Sequence, residues 1–271
     1  MSNGDHRNSD PLEMRIARLL RSGSISVKAG QVDDLVIEIQ VAGELAREAQ
    51  SAYRSWAHWR AINDRMESVE LRRVVTGYTQ NGLRTIRQAI ARDAVLLAFR
   101  LSDPLQMKSD GETRVTLCRA AALLDDDSLS NRLLTRDGLL ELGCPEIIVD
   151  AEIQANAQRV ARIRESVVSD WNSQKPDATE FLELRLAIRP LRNRLAHAML
   201  GGEFSPPIID QISRFVDLTL DLATDYALLI AGKAVAAENA RHHEDREAKL
   251  YWNTTFDSLL AFSKAKRNAA E

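Results

Sequence analysis

Residues 180–202 read EFLELRLAIRPLRNRLAHAMLGG, and this stretch has the spacing of one amphipathic helix. Its apolar residues recur every three or four positions, at Leu184, Ile188, Leu191, Leu195 and Ala198. At about 100° per residue they stay within about 40° of one line along the helix. The glycine pair Gly201-Gly202 and the prolines that follow it are typical helix terminators. The stretch therefore predicts a helix that packs one apolar seam against a core.

The other side of this helix is cationic. Measured from the seam, Arg192, Arg185 and Arg189 lie at about 80°, 100° and 140°, so they share one flank. Asn193 and His197 lie near 180° and 220°, opposite the seam. Guanidinium groups on one flank, with an amide and an imidazole beside them, suit a polyanionic partner.

Two side chains on this helix diverge. In a straight helix Arg192 and His197 point about 140° apart, which is poor geometry for acting on one group. Three arrangements remain open: the Arg192 side chain curls round, Pro190 kinks or starts the helix, or a second copy of the chain completes the site.

Residues 192–197, RNRLAH, resemble the R-x(4–6)-H signature of the HEPN superfamily, including the polar residue that often follows the arginine. Residues 94–103, AVLLAFRLSD, resemble a helix that precedes this signature in the abortive-infection branch of that superfamily. The resemblance covers residues 77–236. It implies a small helical bundle, usually paired as a homodimer, and a metal-independent ribonuclease of antiviral defence or toxin–antitoxin systems.

The resemblance also implies roles for individual residues. Arg192, His197 and Asn193 would be catalytic, with no cofactor and no metal. The remaining arginines of the helix would bind RNA, namely Arg185, Arg189 and Arg194. Arg100 and Asp103 would support the site from the neighbouring helix, or would simply pair with each other at their spacing of three residues.

Other interpretations of the same residues stay open. His197 could be a buried structural histidine, and the arginine flank could be a solvated face paired with Glu180 and Glu183. The triplet 125–127, all aspartate, favours helix caps over a metal site. The same face could belong to a non-catalytic module that binds RNA or a protein, or to a toxin held inactive by an antitoxin or another inhibitory protein.

Composition narrows the class of protein. A net charge of −3 over 271 residues argues against a general nucleic-acid coat protein but leaves room for a locally basic site. The two cysteines have no metal-site spacing, which favours a reduced, cytoplasmic protein. We expect neither a membrane span nor a secretion signal, since the chain lacks a run of eighteen apolar residues and a charged-then-apolar start.

Helical periodicity continues through the chain, so the predicted fold is all-α, an antiparallel multi-helix bundle. One seam runs from Leu35 to Trp56, another from Leu83 to Leu101, and a third from Ile212 to Leu229. Turns are expected at Gly77 and at Asn81-Gly82. The predicted organisation is a largely flexible segment (1–30), an N-terminal helical segment packed on the bundle (31–76), a HEPN-like bundle (77–236) and a C-terminal helix (237–271).

Overall fold

The structure, a computed structural model, describes residues 29–103, 116–124, 132–141, 144–167, 179–196, 204–232 and 235–269. All regular structure in these ranges is helical, which confirms the all-α prediction. The α-helices are α1 (Ala29–Met66), α2 (Val69–Val74), α3 (Gly77–Leu101), α4 (Leu117–Leu124), α5 (Arg136–Glu141), α6 (Val149–Ser166), α7 (Glu180–Ala196), α8 (Pro206–Ala231) and α9 (Ala237–Asn268). A short 3-10 helix, Glu146–Ile148, precedes α6.

Helix α1 lies at the centre of the fold, because α3, α8 and α9 all pack against it. The predicted seam is confirmed in its described part, at Ile39, Ala42, Ala49, Tyr53 and Trp56. Further side chains of α1 are also buried outside that seam, including Leu45, Ala52, Ala57 and Ile62. The many alanines allow neighbouring helices to approach closely, so α1 joins the same core as residues 77–236.

Hydrogen bonds and ion pairs give the direction of the neighbours of α1. Toward α3, Ser55 bonds Asp93 and Glu48 bonds Arg100, so the two helices are antiparallel. Helix α9 runs parallel to α1, since the pairs Gln50–Glu244, His58–Trp252 and Arg65–Asp257 advance together. Helix α1 is therefore antiparallel to α3 and parallel to the C-terminal helix α9.

The seams of α7 and α8 face the core as predicted. On α7, Ile188, Leu191 and Leu195 are buried and Leu184 packs partly against the core. On α8 the whole predicted seam is buried, at Ile212, Phe215, Thr219, Leu222, Tyr226 and Leu229. The two helices meet where Phe181 stacks on Phe215 with ring centroids 5.2 Å apart. Ala198 and Gly201-Gly202 lie outside the described residues.

Three local predictions need correction. Helix α3 begins at Gly77 and continues through Asn81-Gly82, so the turn predicted there is wrong. Gly77 takes the left-handed conformation, with φ of 55°, and makes the turn alone. Ile86, which belongs to the apolar spacing from Leu83 to Leu101 that predicts an inward-facing side, is exposed. Helix α7 begins at Glu180 and continues across Pro190, so the proline does not start the helix.

The described helices include none with the length and apolar character that crossing a lipid bilayer requires.

Candidate functional site

The surface of α7 opposite its seam is solvent-exposed and carries polar side chains together with Leu186, which is 49% exposed. Arg189, Asn193 and Arg194 are exposed, and Arg192 is half-buried. Arg192 Nη1 donates a hydrogen bond to Asn193 Oδ1 at 3.2 Å. His197 lies outside the described residues, directly after the last residue of α7. The structure thus brings Arg192 and Asn193 together.

No carboxylate neutralises this surface within the described residues. Between Glu183 and Glu203 the sequence has no acidic residue, and the structure contains no ion pair to Arg189, Arg192 or Arg194 among the residues it describes. Glu180 is turned to α8, where it accepts from Arg214 Nε at 2.6 Å. That hydrogen bond lowers the pKa of Glu180. The exposed face of α7 therefore keeps its positive charge.

Arg185 does not share that exposed face. Its side chain is only 12% exposed, since Nε donates to Ser102 Oγ and Nη2 donates to Asp103 Oδ1, both at 3.1 Å. The guanidinium also lies over the Phe99 ring, 5.4 Å from its centroid. This location corrects the prediction that Arg185 contacts RNA: the long side chain reaches the end of α3 instead of solvent.

The predicted pair of Arg100 with Asp103 is also corrected. Arg100 Nη2 bonds Glu48 of α1 at 2.6 Å, whereas Asp103 is the partner of Arg185. Asp103 therefore reaches α7 directly, through the ion pair. Arg100 ties α3 to α1 and makes no described hydrogen bond to α7.

The contacts of Arg185 belong to a larger joint at the end of α3, which we call the α3–α7 joint: Phe99, Ser102, Asp103, Cys118 and Arg185. Ser102 is fully buried, and its hydroxyl donates to the Phe99 carbonyl while accepting from Arg185. The Cys118 thiol of α4 donates to the Ser102 carbonyl at 3.7 Å. Burial lowers the pKa of Arg185, an effect that Asp103 opposes, and the arginine stays protonated at neutral pH. The joint holds α7 against α3 and α4.

The sequence interpretation did not anticipate the role of Ser102. A serine at the end of a helix can bond its own backbone, and that local tendency was the only signal in the sequence. Its second partner, Arg185, is 83 positions away.

A second polar cluster lies between α1, α8 and α9. Glu244, only 3% exposed, accepts from Gln50 and Arg54 at 2.8 Å. Beside it, Arg60 donates to both Tyr53 and Asp245 at 2.8 Å. Burial raises the pKa of Tyr53 to about 12. Because each charge here faces an opposite one, the cluster fastens helices together and offers no unpaired group for chemistry.

The described residues contain no group of three or more histidine, cysteine, aspartate or glutamate side chains placed to hold a metal ion. Asp125, Asp126 and Asp127 lie outside the described residues.

Comparison of the chain with protein-family models, with curated proteins and with solved structures found no match.

Proposed function

We propose that this protein is a metal-independent endoribonuclease of HEPN type, with a HEPN-like bundle over residues 77–236. The observation that carries the proposal is the division of α7 into a buried apolar seam and, after Glu183, an exposed cationic face without acidic residues. On that face Asn193 accepts a hydrogen bond from Arg192 and thereby restrains the direction of its guanidinium. His197, next along the chain, completes the sequence pattern of the proposed site.

The reaction class follows from the chemistry of these side chains. His197 takes the proton of a ribose 2′-OH, and the freed oxygen attacks the adjacent phosphorus. The bond from phosphorus to the 5′ oxygen breaks, that oxygen takes up a proton from the imidazolium of His197, and a 2′,3′-cyclic phosphate remains. Arg192 donates two hydrogen bonds to the phosphate oxygens while negative charge develops on them. A 2′-OH nucleophile restricts the reaction to RNA.

The other arginines of α7 have different tasks in this proposal. Arg189 and Arg194 are exposed and bind the flanking phosphates. Arg185 holds α7 through the α3–α7 joint and touches no substrate. Asp103 acts only through Arg185.

A homodimer in which two copies of α7 face each other is part of the proposal. It brings Arg192 of one copy to His197 of the other, although the two residues diverge on a single helix. Such a nuclease needs control, so an antitoxin or other inhibitory protein, in antiviral defence or a toxin–antitoxin system of the cytoplasm, completes the biological interpretation.

The test is cleavage of labelled RNA by purified protein in the presence of EDTA. Wild type is compared with His197→Ala and Arg192→Ala, and with Arg47→Ala as the matched control. Arg47 is an exposed arginine of α1 outside the proposed site. We expect wild type and Arg47→Ala to leave a 2′,3′-cyclic phosphate, and the two site variants to lose about 10²-fold or more in rate.

Two outcomes contradict the proposal. Cleavage that stops in EDTA and returns with Mg²⁺ or Mn²⁺ requires a metal mechanism. RNA binding without cleavage under any condition supports the alternative, a non-catalytic helical module that binds RNA or a protein partner.

A further inference from the structure

One segment of the chain carries positive charge without any acidic residue. Residues 71–92 contain five arginines and no lysine, aspartate or glutamate: Arg72, Arg73, Arg84, Arg87 and Arg92. The nearest acids are Glu70 and Asp93, at its two borders. The segment therefore has a charge of +5 in a chain whose net charge is −3. It covers the end of α2 and more than half of α3.

Two exposed arginines of this segment resemble Arg189 and Arg194 of α7 in having no ion pair among the described residues. Other exposed arginines do pair with acids, as in Arg136 with Glu146 and Arg214 with Glu180. Arg73 and Arg84 are also exposed, but no ion pair to either occurs among the residues that the structure describes. Arg72 donates through Nε to the neutral Met66 carbonyl at 2.7 Å and makes no ion pair within the described part of the chain.

The same segment also carries an exposed aromatic ring. Tyr78, at the second position of α3, is 97% exposed. The left-handed Gly77 turns the chain from α2 into α3 immediately before it. The next three residues, Thr79, Gln80 and Asn81, are exposed and carry only hydroxyl and amide groups. The ring is therefore almost fully open to solvent and is followed along α3 by polar side chains.

Exposed guanidinium groups together with an open aromatic ring are a combination that binds single-stranded nucleic acid: the cations hold phosphates and the ring stacks on a base. Helical rise places Arg84 about 10 Å along α3 from Gly77, so one short strand can contact both ends of this surface.

We propose that the α2–α3 corner, formed by Arg72, Arg73, Tyr78 and Arg84, is a second RNA-binding surface that holds single-stranded RNA outside the cleavage site. The inference relies on the proposed function for the choice of RNA over other polyanions. The positive charge without acidic residues in the segment and the exposed ring of Tyr78 are features of the corner that do not depend on the proposed function.

The test measures binding of a fluorescent 2′-O-methyl oligoribonucleotide, which the proposed reaction cannot cut because it has no free 2′-OH. Fluorescence anisotropy titrations compare wild type, Tyr78→Ala and Arg73→Gln/Arg84→Gln. The control is Arg47→Gln/Arg246→Gln, in which two exposed arginines beside acids lose the same total charge.

We expect Tyr78→Ala to weaken binding about tenfold, since stacking on one base is lost. Arg73→Gln/Arg84→Gln lowers the slope of log K against log salt by about 1.4, at about 0.7 for each phosphate contact of a single strand. The control keeps the slope and the affinity of wild type.

If both corner variants keep the affinity and the salt slope of wild type, the inference is wrong, even if the protein cleaves RNA. The inference is also wrong if wild type does not bind the oligonucleotide, for example if only an acidic peptide binds the corner. If binding depends on the corner residues but ordinary RNA is not cleaved, the second surface is upheld and the nuclease proposal is contradicted. The two proposals therefore fail separately.

Discussion

Arg185 and Asp103 form an ion pair at 3.1 Å although 82 positions of the chain separate them. The pair sits beside the fully buried Ser102, and both charged side chains are largely withdrawn from solvent. Arg185, which the helical spacing places on a cationic flank, therefore attaches α7 to the end of α3.

Arg185→Met is expected to lower the free energy of unfolding by about 2–4 kcal/mol, because Asp103 and Ser102 lose their partner in a largely buried place. Arg189→Met, four residues later on the exposed face, is the matched control and is expected to change stability by at most about 0.5 kcal/mol. Chemical denaturation checks both. Equal effects for the two variants would contradict the division of roles.

The stability of the protein is expected to fall in mild acid because of His58. Its Nδ1 accepts a hydrogen bond from Trp252 Nε1 at 3.0 Å, and an indole N–H can only donate. Burial lowers the pKa of His58 below its ordinary value of 6.5, opposed by the charge of Glu244 and assisted by that of Arg54. Protonation thus breaks a contact between α1 and α9.

The sign follows from proton binding in the two states. Below pH 6.5 the unfolded chain gains a proton on His58 before the folded protein does, so stability decreases from there down through the lowered pKa. Above pH 6.5 the hydrogen bond from Trp252 to His58 contributes fully to the free energy of unfolding. Unfolding free energies at pH 5 and pH 7.5 measure the effect.

His58→Gln serves as the control, because a glutamine oxygen can accept from Trp252 without titrating. Asp217 and Asp225 also titrate, with pKa values raised mainly by burial, and they contribute equally in both proteins. The difference between wild type and variant therefore isolates His58. An identical pH dependence in the two would show that the imidazole is not responsible.

Mixing two inactive variants tests whether the proposed active site is shared between copies. Arg192→Ala and His197→Ala are each inactive in the proposal, but a mixed dimer contains one intact combination of Arg192 and His197. We expect partial recovery of RNA cleavage, up to about one quarter of wild type for random pairing at equal amounts, and a dimer in sedimentation. A fully active monomer would contradict the shared site.

Much of the helical framework could be predicted from apolar spacing. The seams of α7 and α8 are buried as expected because the spacing of Ile188, Leu191 and Leu195, or of Phe215 and Leu222, requires one covered side. The number of helices that pack against a given helix could not be predicted. For α1, Leu45 and Ala52 lie off the expected seam and are buried, since three helices surround α1 rather than one.

Partners distant in the chain were beyond sequence reasoning. The short spacing of Arg100 and Asp103 suggested a local pair, yet Glu48 and Arg185 are closer in space. An angle on a helical wheel gives the direction of a Cβ atom, not the end of a long side chain, so Arg185 was assigned to the wrong surroundings. The Arg192 and Asn193 contact followed from adjacency, and the arrangement of Arg192 with His197 stays a prediction.

Helix α1 also imposes an order of events on synthesis. Its contacts with α9 join positions 185 to 194 residues apart, as in Arg60 with Asp245 and His58 with Trp252. At about 5–20 residues per second, roughly 10–40 s pass between the emergence of such partners from the ribosome. During that interval the side of α1 that α9 will cover has no native partner. Helix α1, at the centre of the folded protein, is therefore among the first described parts to be synthesised and the last to be fully covered by its neighbours.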